Sequence, residues 1–174
     1  LNIRYATGTS NMLLWNTHNP FRSCLVFDDG YCILWDYQES NHYVESNYLY
    51  IDQVRTGASM FYFAKGDKVK SAAENFSDQV GQAFKKKGKH SKRLAIDKIM
   101  LDGFKSLENK DFKIENGEKI MEHARSIKSA EEIKAMRCSI SACETSMHIM
   151  ENKTKPGMTE NDIWSILHSE NIKR

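Results

Sequence analysis

Long apolar runs are missing from this sequence. No uninterrupted apolar stretch in its 174 residues approaches the roughly 20 residues that a membrane helix needs. No signal peptide opens it, so a membrane or secreted location is not expected. Net charge is nearly missing too. At +2 it points to no nucleic-acid or acidic partner through bulk electrostatics. The four cysteines, Cys24, Cys32, Cys138 and Cys143, contain no C-x-x-C pair, which removes the usual zinc and dithiol motifs. None of the six histidines falls in an H-E-x-x-H or other ligand spacing, and His148 is expected at a polar or boundary position of its helix. No Ser-His-Asp arrangement, phosphate-cradling glycine loop or internal repeat is visible. The residues alone therefore support no catalytic or metal site within this chain.

What is present is a globular balance of 40% apolar and 28% charged residues. Cys24-Leu25-Val26-Phe27 and Tyr31-Cys32-Ile33-Leu34-Trp35 are two β-rich runs separated by Asp28-Asp29-Gly30, which predicts a hairpin with strands covered on both faces. A third strand is expected over Tyr48 to Val54. Val69, Ala72, Ala73, Phe76, Val80, Ala83 and Phe84 recur at helical spacing and predict a helix over 67–86, stopped by Gly88. Strands at 93–96 and 112–114 alternate with helices at 99–107 and 118–123. The alternation predicts an α/β domain over residues 1–126.

From residue 127 the texture changes. Ser129-Ala130-Glu131-Glu132 is a capping box, and Ile133, Met136, Ile140, Cys143, Met147 and Met150 form one stripe of a helix over 130–153. Thr159 caps a second helix carrying Ile163, Ile166 and Leu167. Two successive helices predict the start of another domain over 127–174. The opening residues Leu1 to Tyr5 read as the interior of a strand, and Ile172-Lys173-Arg174 carry no helix stop, so both ends are read as interrupted. The four cysteines are expected as buried free thiols, fitting a reducing cytoplasm, with a Cys24–Cys32 disulfide across the hairpin as the other reading. The basic run from Lys85 to Arg93 has no interleaved aromatics and is expected to be a solvated loop.

The segment Trp15-Asn16-Thr17-His18-Asn19-Pro20-Phe21-Arg22 gathers large aromatics, amides, an imidazole and a guanidinium between two predicted strands. Such side chains supply most binding energy at interfaces, and arginine offers a planar fork to a carboxylate. Two readings stand: a loop with its aromatics in the core, or a ligand or subunit contact.

Three segments together resemble the creatinase/prolidase/aminopeptidase P family, the pita-bread (M24-like) superfamily. Asn2-Ile3-Arg4-Tyr5-Ala6-Thr7-Gly8 resembles its N-I-x-Y-x-[ST]-G strand. Ala124 to Ile133 resembles its R-x-I-K-s-x-x-E-I link, and Gly157-Met158-Thr159-Glu160-Asn161-Asp162-Ile163 its G-x-T-E-x-[DE]-[IV] helix start. The resemblance spans the chain. It implies a ribonuclease-H-like α/β domain with a mixed sheet, followed by the first helices of a truncated pita-bread domain. The family's metal ligands, two Asp, one His and two Glu, would fall beyond Arg174, so no catalytic or metal residue is carried over. The whole protein would hold two divalent ions (Mn, Zn or Co), or none if creatinase-like.

By the same resemblance Arg22 and Phe21 stand near a substrate-carboxylate contact, with Trp15 and His18 in the same loop. The implied function is the substrate-loop and dimer-contact piece of a creatinase or Xaa-Pro peptidase-like metallohydrolase. That protein would be a cytoplasmic homodimer acting on a small peptide or carboxylate-bearing substrate, without nucleic acid or membrane. The alternatives are a non-catalytic interaction module of the same fold, or a fragment of a dimethylsulfoniopropionate lyase-like member of the superfamily.

Overall fold

The computed structural model describes residues 2–9, 21–37 and 50–174, and divides into two compact units, Leu1–Arg125 and Ser126–Arg174. The first segment corrects the sequence reading. Residues expected as a strand form helix α1 (Asn2–Thr7). Ile3, Ala6 and Thr7 share its covered side at i, i+3, i+4 spacing, while Arg4 and Tyr5 face water. The Gly8 amide donates to the Arg4 carbonyl at 2.8 Å, and Gly8 turns the chain out of the helix at φ 70°.

The hairpin forms as expected. Strands β1 (Ser23–Val26) and β2 (Cys32–Trp35) pair antiparallel, with Ser23 opposite Trp35 and Val26 opposite Cys32. Gly30, at φ 83°, closes the turn that Asp28 and Asp29 begin. Strand β3 (Gln53–Arg55) lies parallel to β2, giving a mixed sheet in the order β1-β2-β3. It is shorter than the expected 48–54 strand, whose residues 48 and 49 lie outside the described residues. The apolar run of β2 is buried throughout, as its composition implies. In β1 Val26 is exposed, so the expectation of double coverage holds for β2 alone.

A helical turn, α2 (Tyr62–Lys65), passes through a 3-10 turn (Gly66–Lys68) into α3 (Val69–Lys86). Helix α3 buries Ala73, Phe76, Val80, Ala83 and Phe84, the predicted face. It ends in a Schellman motif: the Lys89 amide donates to Phe84 O at 3.0 Å and Gly88 N to Lys85 O at 3.1 Å, with Gly88 at φ 65°. The basic run that follows is tied down by the hairpin turn, Lys87 pairing with Asp29 and Lys89 with Asp28. These lysines hold both carboxyls below their ordinary range.

Strand β4 (Arg93–Ile96), helix α4 (Leu101–Glu108) and strand β5 (Lys113–Asn116) make a β-α-β unit whose strands pair in parallel. Gly117 ends β5 where its backbone touches that of Ile96; a Cβ there would stand 2.9 Å from Ile96 backbone atoms. Helix α5 (Glu118–Ser126) follows.

The core of the first unit is aromatic. Trp35 meets Phe76 edge-on at 5.1 Å between ring centroids, and Phe84 joins Phe27 at 5.3 Å to Phe112 at 5.1 Å. The Trp35 indole N–H donates to Gln79 Oε1 at 2.8 Å, which satisfies the polar atom of a ring with no exposed surface.

In the second unit, α6 (Ala130–Lys153) begins at the predicted capping box: Glu132 N donates to Ser129 Oγ at 3.2 Å and Ser129 N to Glu132 Oε2 at 2.7 Å. Helix α7 (Glu160–Ile172) repeats the device with Thr159 and Asp162. The two helices pack together, and of the predicted stripe only Met150 lies on the covered side. The covered side of α6 is Ala142, Ser146, Ile149 and Met150, whereas Ile133, Met136, Ile140 and Met147 are 44–53% exposed. Cys138 and Cys143 are exposed as well, which corrects the expectation that they are buried. Small residues at i and i+4 let helix backbones approach closely, so Ala142 and Ser146 take the contact in place of the bulkier stripe.

Glu170, near the end of α7, is covered by three cations: Lys173 at 3.0 Å, Arg174 at 3.2 Å and Lys153 of α6 at 3.4 Å. Hydrogen bonds from Lys173 and Arg174 lower its carboxyl from 4.5 to about 2 against the opposing effect of burial, and the Lys153 hydrogen bond adds to the lowering. A depressed folded pKa stabilises the fold above the unfolded value and loses that contribution as pH falls through the folded one. The α6–α7 pair is therefore expected to lose helicity between about pH 4.5 and about pH 2. Circular dichroism across this window checks it. Glu170→Gln should remove that component of the transition, and an unchanged acid profile in the variant would count against it.

Candidate functional site

Four buried polar side chains gather where α1, β1 and β2 meet: Thr7, Thr9, Arg22 and Asp36, none more than 8% exposed. Hairpin register produces the central pair. With Ser23 opposite Trp35, the next residues outward are Arg22 and Asp36. The Arg22 Nη2 donates to Asp36 Oδ2 at 3.0 Å, and Nε stands 3.0 Å from Oδ1. The second approach is off-angle, an ion-pair contact without a proper hydrogen bond, so Nε is the one buried side-chain polar atom left unsatisfied among the described residues. Asp36 Oδ1 also accepts from Tyr37 N at 2.8 Å.

The hydroxyls assign their own protons. Arg22 has only donors, so Thr9 Oγ1 accepts from Arg22 Nη2. The Thr9 hydroxyl then donates to Thr7 Oγ1 at 2.7 Å, and Thr7 donates to the Ile3 carbonyl at 2.6 Å. A polarised chain thus runs from the guanidinium into the last turn of α1. Thr9 and Arg22 lie on the two described flanks of residues 10–20, so the hydrogen bond between them joins those flanks.

Of the four residues singled out in sequence, two are described. Arg22 engages Asp36 and Thr9 of its own chain. Phe21 packs edge-on against Phe61 at 4.8 Å and Tyr37 at 5.6 Å. Trp15 and His18 lie outside the described residues. Asp36, Thr7 and Thr9 were missed in sequence. The signal for Asp36 was available: counting outward from the Asp28-Asp29-Gly30 turn pairs 22 with 36.

Toward the turn end of the same hairpin face an open pocket of about 390 Å³ is lined by Ala6, Val26, Gly30, Cys32, Tyr50 and Asp52. Asp52 Oδ2 accepts the Cys32 amide at 2.7 Å, and the Cys24 and Cys32 sulfurs stand 3.5 Å apart as free thiols. Among the described residues no three His, Cys, Asp or Glu side chains are grouped to hold a metal ion, and no helix is long and apolar enough to cross a membrane.

No family model matches the chain. It is, however, 49% identical over 179 aligned positions to dimethylsulfoniopropionate lyase DddP of Roseobacter denitrificans, and equally so to the enzyme of that name from Roseovarius nubinhibens. Each alignment covers all of this chain and 40% of the relative, so the chain spans about two fifths of the length of the curated relatives it matches. The comparisons favour the lyase alternative over the creatinase or Xaa-Pro peptidase reading that the motifs put first. The similarity to these two lyases runs along the whole of this chain, whose first unit is an α/β unit built on a small mixed sheet.

Proposed function

We propose that this chain is part of a lyase that breaks the carbon–sulfur bond of dimethylsulfoniopropionate or a close sulfonium carboxylate. The observation that carries the reading is the 49% identity that both lyases share with the whole chain. In this reading residues 1–126 are the N-terminal domain and residues 127–174 begin the catalytic domain. The whole protein is a homodimer, and its catalytic groups lie outside the residues named here. No three metal-ligating side chains are grouped among the described residues, so none of them is assigned to a metal and no step is routed through one.

The substrate's chemistry sets what a binding loop must offer. A sulfonium is a cation without N–H or O–H donors, so an aromatic face is its natural partner. A carboxylate calls for N–H or O–H donors. Trp15 is proposed as the aromatic face and His18 as a donor beside it. Phe21 and Arg22 follow them in the sequence, with Arg22 bound to Asp36 and Thr9.

The test is an assay of the full-length enzyme with dimethylsulfoniopropionate, following dimethyl sulfide by gas chromatography and acrylate by proton NMR. Release of both in equal amounts is expected. Cleavage of Xaa-Pro peptides or creatine without dimethyl sulfide would sink the lyase reading. Within a working lyase, Trp15→Ala is expected to lower kcat/KM about thirtyfold, the equivalent of about 2 kcal/mol for a desolvated cation–π contact, while Trp15→Phe retains most of it. Equal activity of the alanine variant would remove Trp15 from the site.

A further inference from the structure

We infer that Cys24 and Cys32 are a disulfide-forming pair, closed across the β1–β2 hairpin by a small two-electron oxidant of the peroxide class that enters the pocket beside Cys32. Strand alternation places Leu25, Phe27, Ile33 and Trp35 toward the aromatic core, which leaves Cys24 and Cys32 together on the opposite face. They are diagonal neighbours, since Cys24 pairs with Leu34 and Cys32 with Val26. Their sulfurs are nevertheless only 3.5 Å apart. A disulfide needs about 2.05 Å, so the sulfurs must approach by about 1.5 Å, through side-chain rotation and a shift of the strands.

The hairpin can move that far on one side only. Cys32 is fixed, with its amide held by Asp52, its strand paired on both sides, and only 2% of its surface exposed. Strand β1 is the edge of its sheet among the described residues, so Cys24 can shift without breaking a second ladder. The pocket lined by Cys32, Gly30, Tyr50 and Asp52 gives a small oxidant a route to the inner thiol.

The order of steps follows from the contact between the sulfurs. The Cys24 S–H donating to Cys32 stabilises the Cys32 thiolate, lowering that thiol while raising Cys24. The Cys32 thiolate attacks the peroxide O–O bond, hydroxide leaves, and a sulfenic acid forms on Cys32. The Cys24 sulfur then attacks the Cys32 sulfur and displaces the hydroxyl, which leaves as water with the Cys24 proton, while the hydroxide of the first step takes the Cys32 proton. The balance is two thiols and one hydrogen peroxide to one disulfide and two waters. A dithiol reductant reverses it.

The experiment uses the intact protein carrying Cys138→Ser and Cys143→Ser, which removes the two exposed thiols of the second unit. The protein is treated with equimolar hydrogen peroxide, quenched with N-ethylmaleimide and mapped by mass spectrometry without reduction. A peptide pair joined through Cys24 and Cys32, absent after dithiothreitol, is expected. Adding Cys24→Ser should stop the reaction at a Cys32 sulfenic acid that dimedone captures. Oxidant-treated protein in which both thiols still take up N-ethylmaleimide would overturn the assignment, as would sulfinic acid on either cysteine without a bridge.

Discussion

Arg22→Ala is expected to cost about 3–5 kcal/mol of folding stability, because it leaves the Asp36 carboxylate buried without its cation. Asp36 is 3% exposed and Arg22 8%, so neither can turn to water without opening the α1–hairpin junction. Asp36→Ala is expected to cost a similar amount for the mirror-image reason. The two losses should not add. In the double alanine variant neither charge is stranded, and a double-mutant cycle in denaturant unfolding should show strong coupling. Replacing both by apolar residues of similar volume, Arg22→Met with Asp36→Leu, should come close to wild type. Arg22→Lys should fall between, since a shorter reach to a point charge does not place donors on Asp36 and Thr9 as the planar guanidinium does. Single-variant losses under 1 kcal/mol would be those of an exposed salt bridge and would contradict this account. A separate outcome is equally informative: an Arg22→Ala enzyme that melts normally but binds substrate poorly would return the guanidinium to the binding site.

Trp35→Ala should be comparably severe, about 3–5 kcal/mol for removal of a large aromatic from a packed core. The ring has no exposed surface, lies edge-on to Phe76, and carries the Arg55 guanidinium 5.5 Å from its centroid. Arg55 and the Trp35 indole share Gln79, Arg55 donating to the Gln79 carbonyl at 2.9 Å and the indole to its side chain at 2.8 Å. The cavity would therefore loosen the contact of α3 with both β2 and β3. Domains of this size shift by roughly 2–4 °C per kcal/mol, so a fall in Tm of about 6–20 °C is expected. Trp35→Phe keeps most of the packing and should lose about 1 kcal/mol with the Gln79 bond. A Tm unchanged by alanine would mean that the hairpin and α3 do not unfold as one unit.

Much of the architecture was legible in the sequence because it is set by near neighbours. The Asp28-Asp29-Gly30 turn, the capping box at Ser129, the Thr159 cap and the Gly88 stop of α3 each depend on backbone sterics and hydrogen bonds within about six residues. Periodicity placed α3 and α6 for the same reason: a helix repeats its environment every 3.6 residues, and the apolar pattern records it. The opening segment was misread where local signals compete. Asn2 to Thr7 is too short to establish a period, and its Ile and Tyr favour strands. The Thr7 hydroxyl bond to Ile3 and the Gly8 turn decide for the helix.

The partners of these elements were a different matter. Arg22 looked like an available guanidinium, and only the pairing of β1 with β2 sets it against Asp36 and buries both. The stripe on α6 was legible, but which side of that helix packs was decided by Ala142 and Ser146, whose small size matters only once α7 lies against them. The closeness of Cys24 and Cys32 likewise belongs to the paired hairpin, eight residues of separation closed to 3.5 Å between sulfurs. The sequence by itself determined where helices, turns and caps form, since those follow from short-range sterics and hydrogen bonding. Tertiary structure alone decided which charges are buried, which face is covered and which thiols meet, because those depend on desolvation and contact between segments that the chain's order does not place together.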